Sequence, residues 1–208
     1  MSIEIGDNLT GSFGYAKEKI VGNIGNWILL MILTIIPIVN FIAIGTYLKV
    51  FRGEDPKVAD IGKSFVDGLL AFIIAVIYMI IPTIIALILG GGTLLAAGLT
   101  GSAASFVAAS IGGFICLIIY ILFVLIMIPA VINFVRNGFG AAFHFGEIFG
   151  MIGKVGWLNY ILCIIVVGII FGIFGLLGRI PFVGWLIMII IYPFLVVWTS
   201  KFLANLFE

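Results

Sequence analysis

The sequence predicts an all-α membrane protein, with about five transmembrane helices and interfacial amphipathic helices between them. Three observations lead there. Hydrophobic residues make up 64% of the chain and charged residues 9%, whereas a soluble domain carries roughly 25% charged residues to keep its surface wet. Mean hydropathy is +1.40. The apolar residues also gather into uncharged runs of about 20, the length that crosses a bilayer as a helix.

Taken in order, residues 1–23 form an N-terminal interfacial segment in which Leu9, Phe13, Ala16 and Ile20 fall on one helical face and are expected to meet lipid. Residues 24–208 form a single transmembrane domain. Its expected spans are 27–48, 68–89, 114–135, 157–178 and 181–200, none containing a charged residue. Pro37, Pro82, Pro129 and Pro193 lie inside four of them and should kink or loosen those helices.

The polar connection 52–67 contains Asp55-Pro56, a sequence suited to starting a helix because a side-chain acceptor precedes a proline at the first helical position. Residues 90–113 carry no charge and are rich in Gly, Ala, Ser and Thr, which fits either a close-packed lid or a partly inserted segment. In 137–156, Phe145, Ile148, Phe149 and Ile152 share one stripe while His144, Glu147 and Lys154 line the other.

Orientation follows from Lys and Arg beside the span ends. With five spans, Lys49, Arg52, Lys57, Lys63, Arg136, Lys154 and Lys201 share a side, against Lys17, Lys19 and Arg179. A multi-pass protein of the cell membrane is therefore expected, with its N-terminus outside and its C-terminus in the cytoplasm. The N-terminal segment carries Glu4, Asp7 and Glu18 and lacks the basic start and short apolar core of a signal peptide. An Ile-Pro-x-Val pattern occurs at Ile36–Val39, Ile128–Val131 and Ile180–Val183, which raises the question of an internal repeat.

An ordered set of further motifs runs through the chain: Lys17-Glu18-Lys19, Ile36-Pro37-Ile38-Val39-Asn40-Phe41, Phe65-Val66-Asp67-Gly68, Phe143-His144-Phe145-Gly146-Glu147-Ile148 and Ile180-Pro181-Phe182-Val183-Gly184. Together they resemble an uncharacterised, mostly archaeal family of polytopic membrane proteins, domain of unknown function 4013. The resemblance covers nearly the whole chain. It implies a multi-pass membrane protein and supplies no activity, ligand or catalytic residue.

The residues themselves nominate few sites. Asp67 and Glu147 stand at the mouths of uncharged spans, where acids can ring a cation pathway or serve as solvated interface charges. Asn40 is the strongest polar residue within a span and is expected to bond a neighbouring helix. Gly168, Gly172 and Gly175 recur on one face of the fourth span, a pattern that lets helix backbones approach closely. His144 and Glu147 supply half a metal site where a catalytic zinc uses about three protein ligands. The lone histidine and the uncharged spans leave no nucleophilic triad, intramembrane acid pair or ion-coupling group.

No enzyme activity, cofactor or metal is therefore expected, and a net charge of +1 gives nucleic acid no basic patch. The expected partners are the lipid bilayer, other copies of the chain and an unspecified membrane protein. Two functions remain open: a non-catalytic, self-associating scaffold or assembly subunit, and a passive, cation-favouring pore formed by an oligomer.

Overall fold

A computed structural model describes residues 4–208, with the side chain of Ala97 excepted. The first three residues of the expected N-terminal segment 1–23 lie outside the described part. Helices α1 (Ile5–Ala16), α2 (Ile24–Ile35), α3 (Asn40–Leu48), α4 (Ile61–Ala86), α5 (Gly92–Thr100), α6 (Ala103–Asn137), α7 (Phe145–Val155), α8 (Trp157–Leu177) and α9 (Gly184–Leu206) follow in order. No strand occurs among the described residues.

Four of the helical stretches are long and apolar enough to cross a membrane: Ile61–Thr100, Ala103–Asn137, Trp157–Leu177 and Gly184–Leu206. The first expected span, 27–48, is not one helix. Pro37 forces Ile36 into extended backbone at the end of α2 (φ −87°, ψ 115°), as residues before proline prefer. The chain then doubles back. The Thr34 hydroxyl lies 3.4 Å from the Tyr47 phenol, and Leu30 and Leu33 share a buried cluster with Ala43 and Tyr47.

At the base of this hairpin, the Asn26 side chain donates to Pro56 O at 2.9 Å and accepts from Val58 N at 2.9 Å. Those two bonds hold 54–60 in irregular backbone, so the helix expected from Asp55-Pro56 starts instead at Ile61. Lys19, in the turn before α2, also reaches Asp55 at 3.0 Å.

Residues 5–35 contain the other broken element. Helix α1 continues through a π turn at Lys17–Val21 and then bends by 90° into α2. Part of its apolar face meets protein instead of the expected lipid: Ala16 and Ile20 are fully buried in the cluster that includes Val197 and Ala204, while Phe13 stays exposed. Phe13 sets its edge against Phe194 and Trp198, both centroids at 5.2 Å.

Asn8 donates to Phe202 O at 3.0 Å and accepts from Asn205 Nδ2 at 2.8 Å. Both chain ends therefore lie at one end of the bundle. The expected first span, 27–48, is in this way a doubled-back hairpin, while 5–35 forms a bent pair of helices long and apolar enough to make a fifth, broken span.

Helices α4 and α6 run antiparallel, with the Thr83 hydroxyl 2.8 Å from the Tyr120 phenol. Their far ends extend through a second π turn at Leu87–Gly91 and through α5. The uncharged 90–113 segment is thus the tip of a helical hairpin, turning at Gly101 (φ 61°). Ser102 caps α6 there by accepting from Ser105 N at 3.2 Å. Helices α8 and α9 form the last hairpin, closed by Ile180–Val183.

That closing turn repeats the one at Ile36–Val39. Val39 N donates to Pro37 O and Val183 N to Pro181 O, each at 2.8 Å. Ile38 and Phe182 adopt positive φ (69° and 65°), a conformation side chains rarely take. The third copy of the pattern, at Ile128–Val131, lies inside α6.

Candidate functional site: a polar cleft at the charged end of the bundle

The connections at the charged end are tied down by side chains that bond backbone carbonyls. Arg52, at the end of a 3₁₀ turn after α3, donates from Nε to Val135 O at 2.8 Å and from Nη1 to Asp67 Oδ2 at 2.7 Å. Arg136, in the last turn of α6, donates from Nε to Phe51 O at 3.1 Å and from Nη1 to Phe207 O at 2.8 Å. The free carbonyls at the end of α9 gain a cationic donor in this way, as helix C-termini favour.

Asn133 forms a second hub. Its amide donates to Ala141 O at 2.8 Å and to Glu147 Oε2 at 3.0 Å, and it accepts from Asn137 Nδ2 at 2.6 Å. His144 Nδ1 lies 3.2 Å from the other Glu147 oxygen. The Asn133 bond, and after it the His144 contact, hold the Glu147 carboxyl below its ordinary value. A depressed carboxyl favours the folded contact above its unfolded pKa and loses that contribution as pH falls through its folded pKa. Asn133→Ala should therefore move the Glu147 titration upward, measured by NMR on carboxyl-labelled protein. An unmoved titration would mean the amide bond is not formed in the membrane.

Between the end of α6, α7, the start of α8 and the end of α9 lies a cleft of about 720 Å³. Arg136, Asn137, Glu147, Lys154, Asn159 and Asn205 give it a polar wall. Ile5, Val155, Cys163 and Leu206 form an apolar edge. The arrangement suits a ligand with one polar and one apolar part, and it offers no nucleophile paired with a base.

The two acids singled out from sequence are not brought together. Asp67 pairs with Arg52, their side chains 13% and 19% exposed, so it presents no net charge to a passing cation. Glu147 is open to solvent at the cleft. His144 and Glu147 meet as their spacing suggests, but no group of three metal-ligating side chains exists among the described residues.

Asn40 begins α3 directly after the reversed turn, its backbone N–H donating to Ile36 O at 2.9 Å, and the bond expected from its side chain to a neighbouring helix is not formed among the described residues. At Gly168, Gly172 and Gly175 an added Cβ would meet nothing within 4 Å. The close approach expected there occurs elsewhere in the chain, between α3 and α4 at Gly45 and Gly68.

Sequence reasoning missed Arg52, Arg136, Asn133, Asn8 and Asn26 as organising residues. One signal was present: Val50-Phe51-Arg52-Gly53 and Phe134-Val135-Arg136-Asn137-Gly138 each place an arginine at an apolar segment's end, just before a glycine of positive φ.

Comparison with known proteins gives one positive finding. The model of a family described as "Protein of unknown function (DUF4013)" matches residues 28–183. No curated protein and no solved structure matches this chain.

Proposed function

Because the chain belongs to this family of unknown function, which brings no activity with it, we propose from its own geometry that it is a non-catalytic membrane scaffold that associates with copies of itself. The supporting observation is the open face of α8. Inside the subunit, glycines are used where another backbone presses close, as at Gly45 against Ser64 and Gly68 against Phe41. Gly168, Gly172 and Gly175 lie on a single helix face that no backbone covers.

Apolar burial does not drive helices together in lipid, so close contact at small residues is what a second copy would gain. Gly172→Leu should shift the protein from oligomer to monomer, while Ile169→Leu on the same helix leaves the assembly unchanged. Size-exclusion with light scattering in detergent reads both. Identical assembly of the two variants would place the contact elsewhere.

We also infer the orientation. All nine Asp and Glu, and every Lys and Arg among the ten except Arg179, fall in or beside the segments that meet at the end of the bundle where Asn8 bonds Asn205, Lys19 reaches Asp55 and Arg136 reaches Phe207. By the positive-inside rule that end is cytoplasmic. On a background lacking Cys116 and Cys163, cysteines at Asp7 and Glu54 should react only from the cytoplasm and one at Phe182 only from outside. Labelling of Asp7 and Glu54 from opposite sides would restore a crossing at 27–48.

A further inference from the structure

Two stretches of the chain align at one constant spacing, with identical residues at Arg52 and Arg136, Gly62 and Gly146, and Phe65 and Phe149, and with Asp60 opposite His144 and Ile61 opposite Phe145. The linkers differ, irregular over 54–60 and a 3₁₀ turn over Phe139–Phe143, but the backbones match where the next helix begins. Asp60 (φ −93°, ψ 83°) and His144 (φ −80°, ψ 76°) share an unusual conformation, and each is followed at once by a helix, α4 or α7. The first helical bonds correspond as well, Ser64 N to Asp60 O at 2.8 Å and Ile148 N to His144 O at 3.1 Å.

Between the two units the arginines are exchanged. Arg52 Nε bonds the carbonyl before Arg136, and Arg136 Nε bonds the carbonyl before Arg52. Reciprocal contacts of this kind mark a local two-fold relation.

The symmetry is broken at one functional group. In the first unit, Asp67 on α4 accepts from Arg52 Nη1 at 2.7 Å. The same register on α7 places Met151, which cannot accept such a bond, and Met151 and Arg136 both line the cleft. Among the described residues Arg136 instead bonds only the carbonyls of Phe51, Phe207 and Ala204. Neither Arg136 nor Lys154, the cleft's other cation, has a carboxylate within 4.0 Å among the described residues. The cleft's own acids are engaged: Glu147 with Asn133 and His144, and Glu208 with Lys201 at 3.5 Å.

We propose that this cleft binds a phosphate group carried by an amphiphile, and that the phosphate stands to Arg136 as Asp67 stands to Arg52. Phosphate fits better than carboxylate because the free N–H groups of Arg136 and Lys154, with the second amide hydrogens that Asn137 and Asn159 keep beside their bonds to Asn133 and Val155, offer more donors than two oxygens can take. The apolar edge at Val155, Cys163 and Leu206 receives the start of a hydrocarbon chain.

The test uses the full chain in detergent, with dioleoyl phosphatidic acid, dioleoyl phosphatidylcholine and inorganic phosphate as probes. Native mass spectrometry counts bound lipid, and the melting temperature reports inorganic phosphate. One phosphatidic acid should be retained per chain, in preference to phosphatidylcholine. Met151→Asp, which supplies the missing internal acid, should weaken that binding about tenfold or more while the protein stays folded. Lys154→Gln should weaken it in the same direction, and it serves as the second variant if Met151→Asp fails to fold. Stabilisation by inorganic phosphate that Met151→Asp removes would identify a soluble phosphate as the source, at the same site. Retention of phosphatidic acid by folded Met151→Asp and by Lys154→Gln at wild-type strength would overturn the proposal, as would equal retention of phosphatidylcholine. Oligomer size plays no part in these readouts, so the site and the scaffold reading fail separately.

Discussion

Gly45→Ala should lower the melting temperature of the protein by about 10 °C or more, the largest effect expected of any single methyl group added to it. A Cβ at Gly45 would overlap the Ser64 carbonyl oxygen and lie 2.6 Å from its carbonyl carbon and 2.9 Å from its Cα. At Gly68 it would overlap the Phe41 carbonyl oxygen and lie 2.9 Å from Gly45 N. The two glycines thus face each other across the α3–α4 contact, where only hydrogens fit and Cα–H···O contacts become possible.

No side chain can rotate away, because every opposing atom is backbone. Ordinary overpacking costs about 1–3 kcal/mol, and a backbone clash should reach the top of that range or exceed it. In a chain of this size each kcal/mol moves the midpoint by about 2–4 °C. Separating α3 from α4 would also pull on the Arg52 clasp, which comes directly after α3. Thermal unfolding in detergent checks this, with Gly113→Ala as the control because a Cβ there meets nothing within 4 Å. Matching midpoints for the two variants would mean that α3 and α4 do not approach so closely.

Asp67→Ala should destabilise the protein by about 3–5 kcal/mol, the cost of leaving one partner of a desolvated ion pair alone. The pair closes at 2.7 Å with both side chains mostly buried, so it is not screened as a surface pair would be. Arg52 also holds Val135 O, and its displacement would free the end of α6. Replacing both partners, as Arg52→Met with Asp67→Leu, should cost less than Asp67→Ala alone, because no uncompensated charge remains. Chemical denaturation of the variants decides it. A double variant less stable than Asp67→Ala would show that the Arg52–Val135 bond, not the charge pair, carries the stability.

The phosphate proposal and the ion pair draw on one comparison. The two units share an arginine and the conformation that starts the next helix, yet one closes its arginine with an internal acid, Asp67, and the other leaves it at the wall of a cleft beside Met151.

Much of the molecule was legible in the sequence because lipid imposes a simple rule. A helix in hydrocarbon satisfies its own backbone and needs about 20 uncharged residues, so the spans at 68–89, 114–135, 157–178 and 181–200 can be read from composition alone. The proline at 37 was equally visible, but its consequence was not. The same Ile-Pro-x-Val sequence reverses the chain at Ile36–Val39 and Ile180–Val183 and continues a helix at Ile128–Val131. A proline only weakens the local helix, so the path of the chain beyond it depends on whether neighbours reward a turn. At Ile36–Val39 the reward is the docking of Asn26 on Pro56 and Val58 and of Gly45 on Ser64.

The charges were likewise countable from the start, yet their sides were not, since assigning them required the number of crossings. The sequence by itself determined the solvent of this protein, its helical class and the uncharged character of its spans, because those depend only on local composition and length. The tertiary structure alone decided that α1 covers α9, that the chain doubles back within 27–48, that Asp67 is matched by Arg52 and that Arg136 is matched by no acid among the described residues. Each of these is a contact between residues distant in the chain, and hydrophobic periodicity carries no information about which partner a polar side chain will meet.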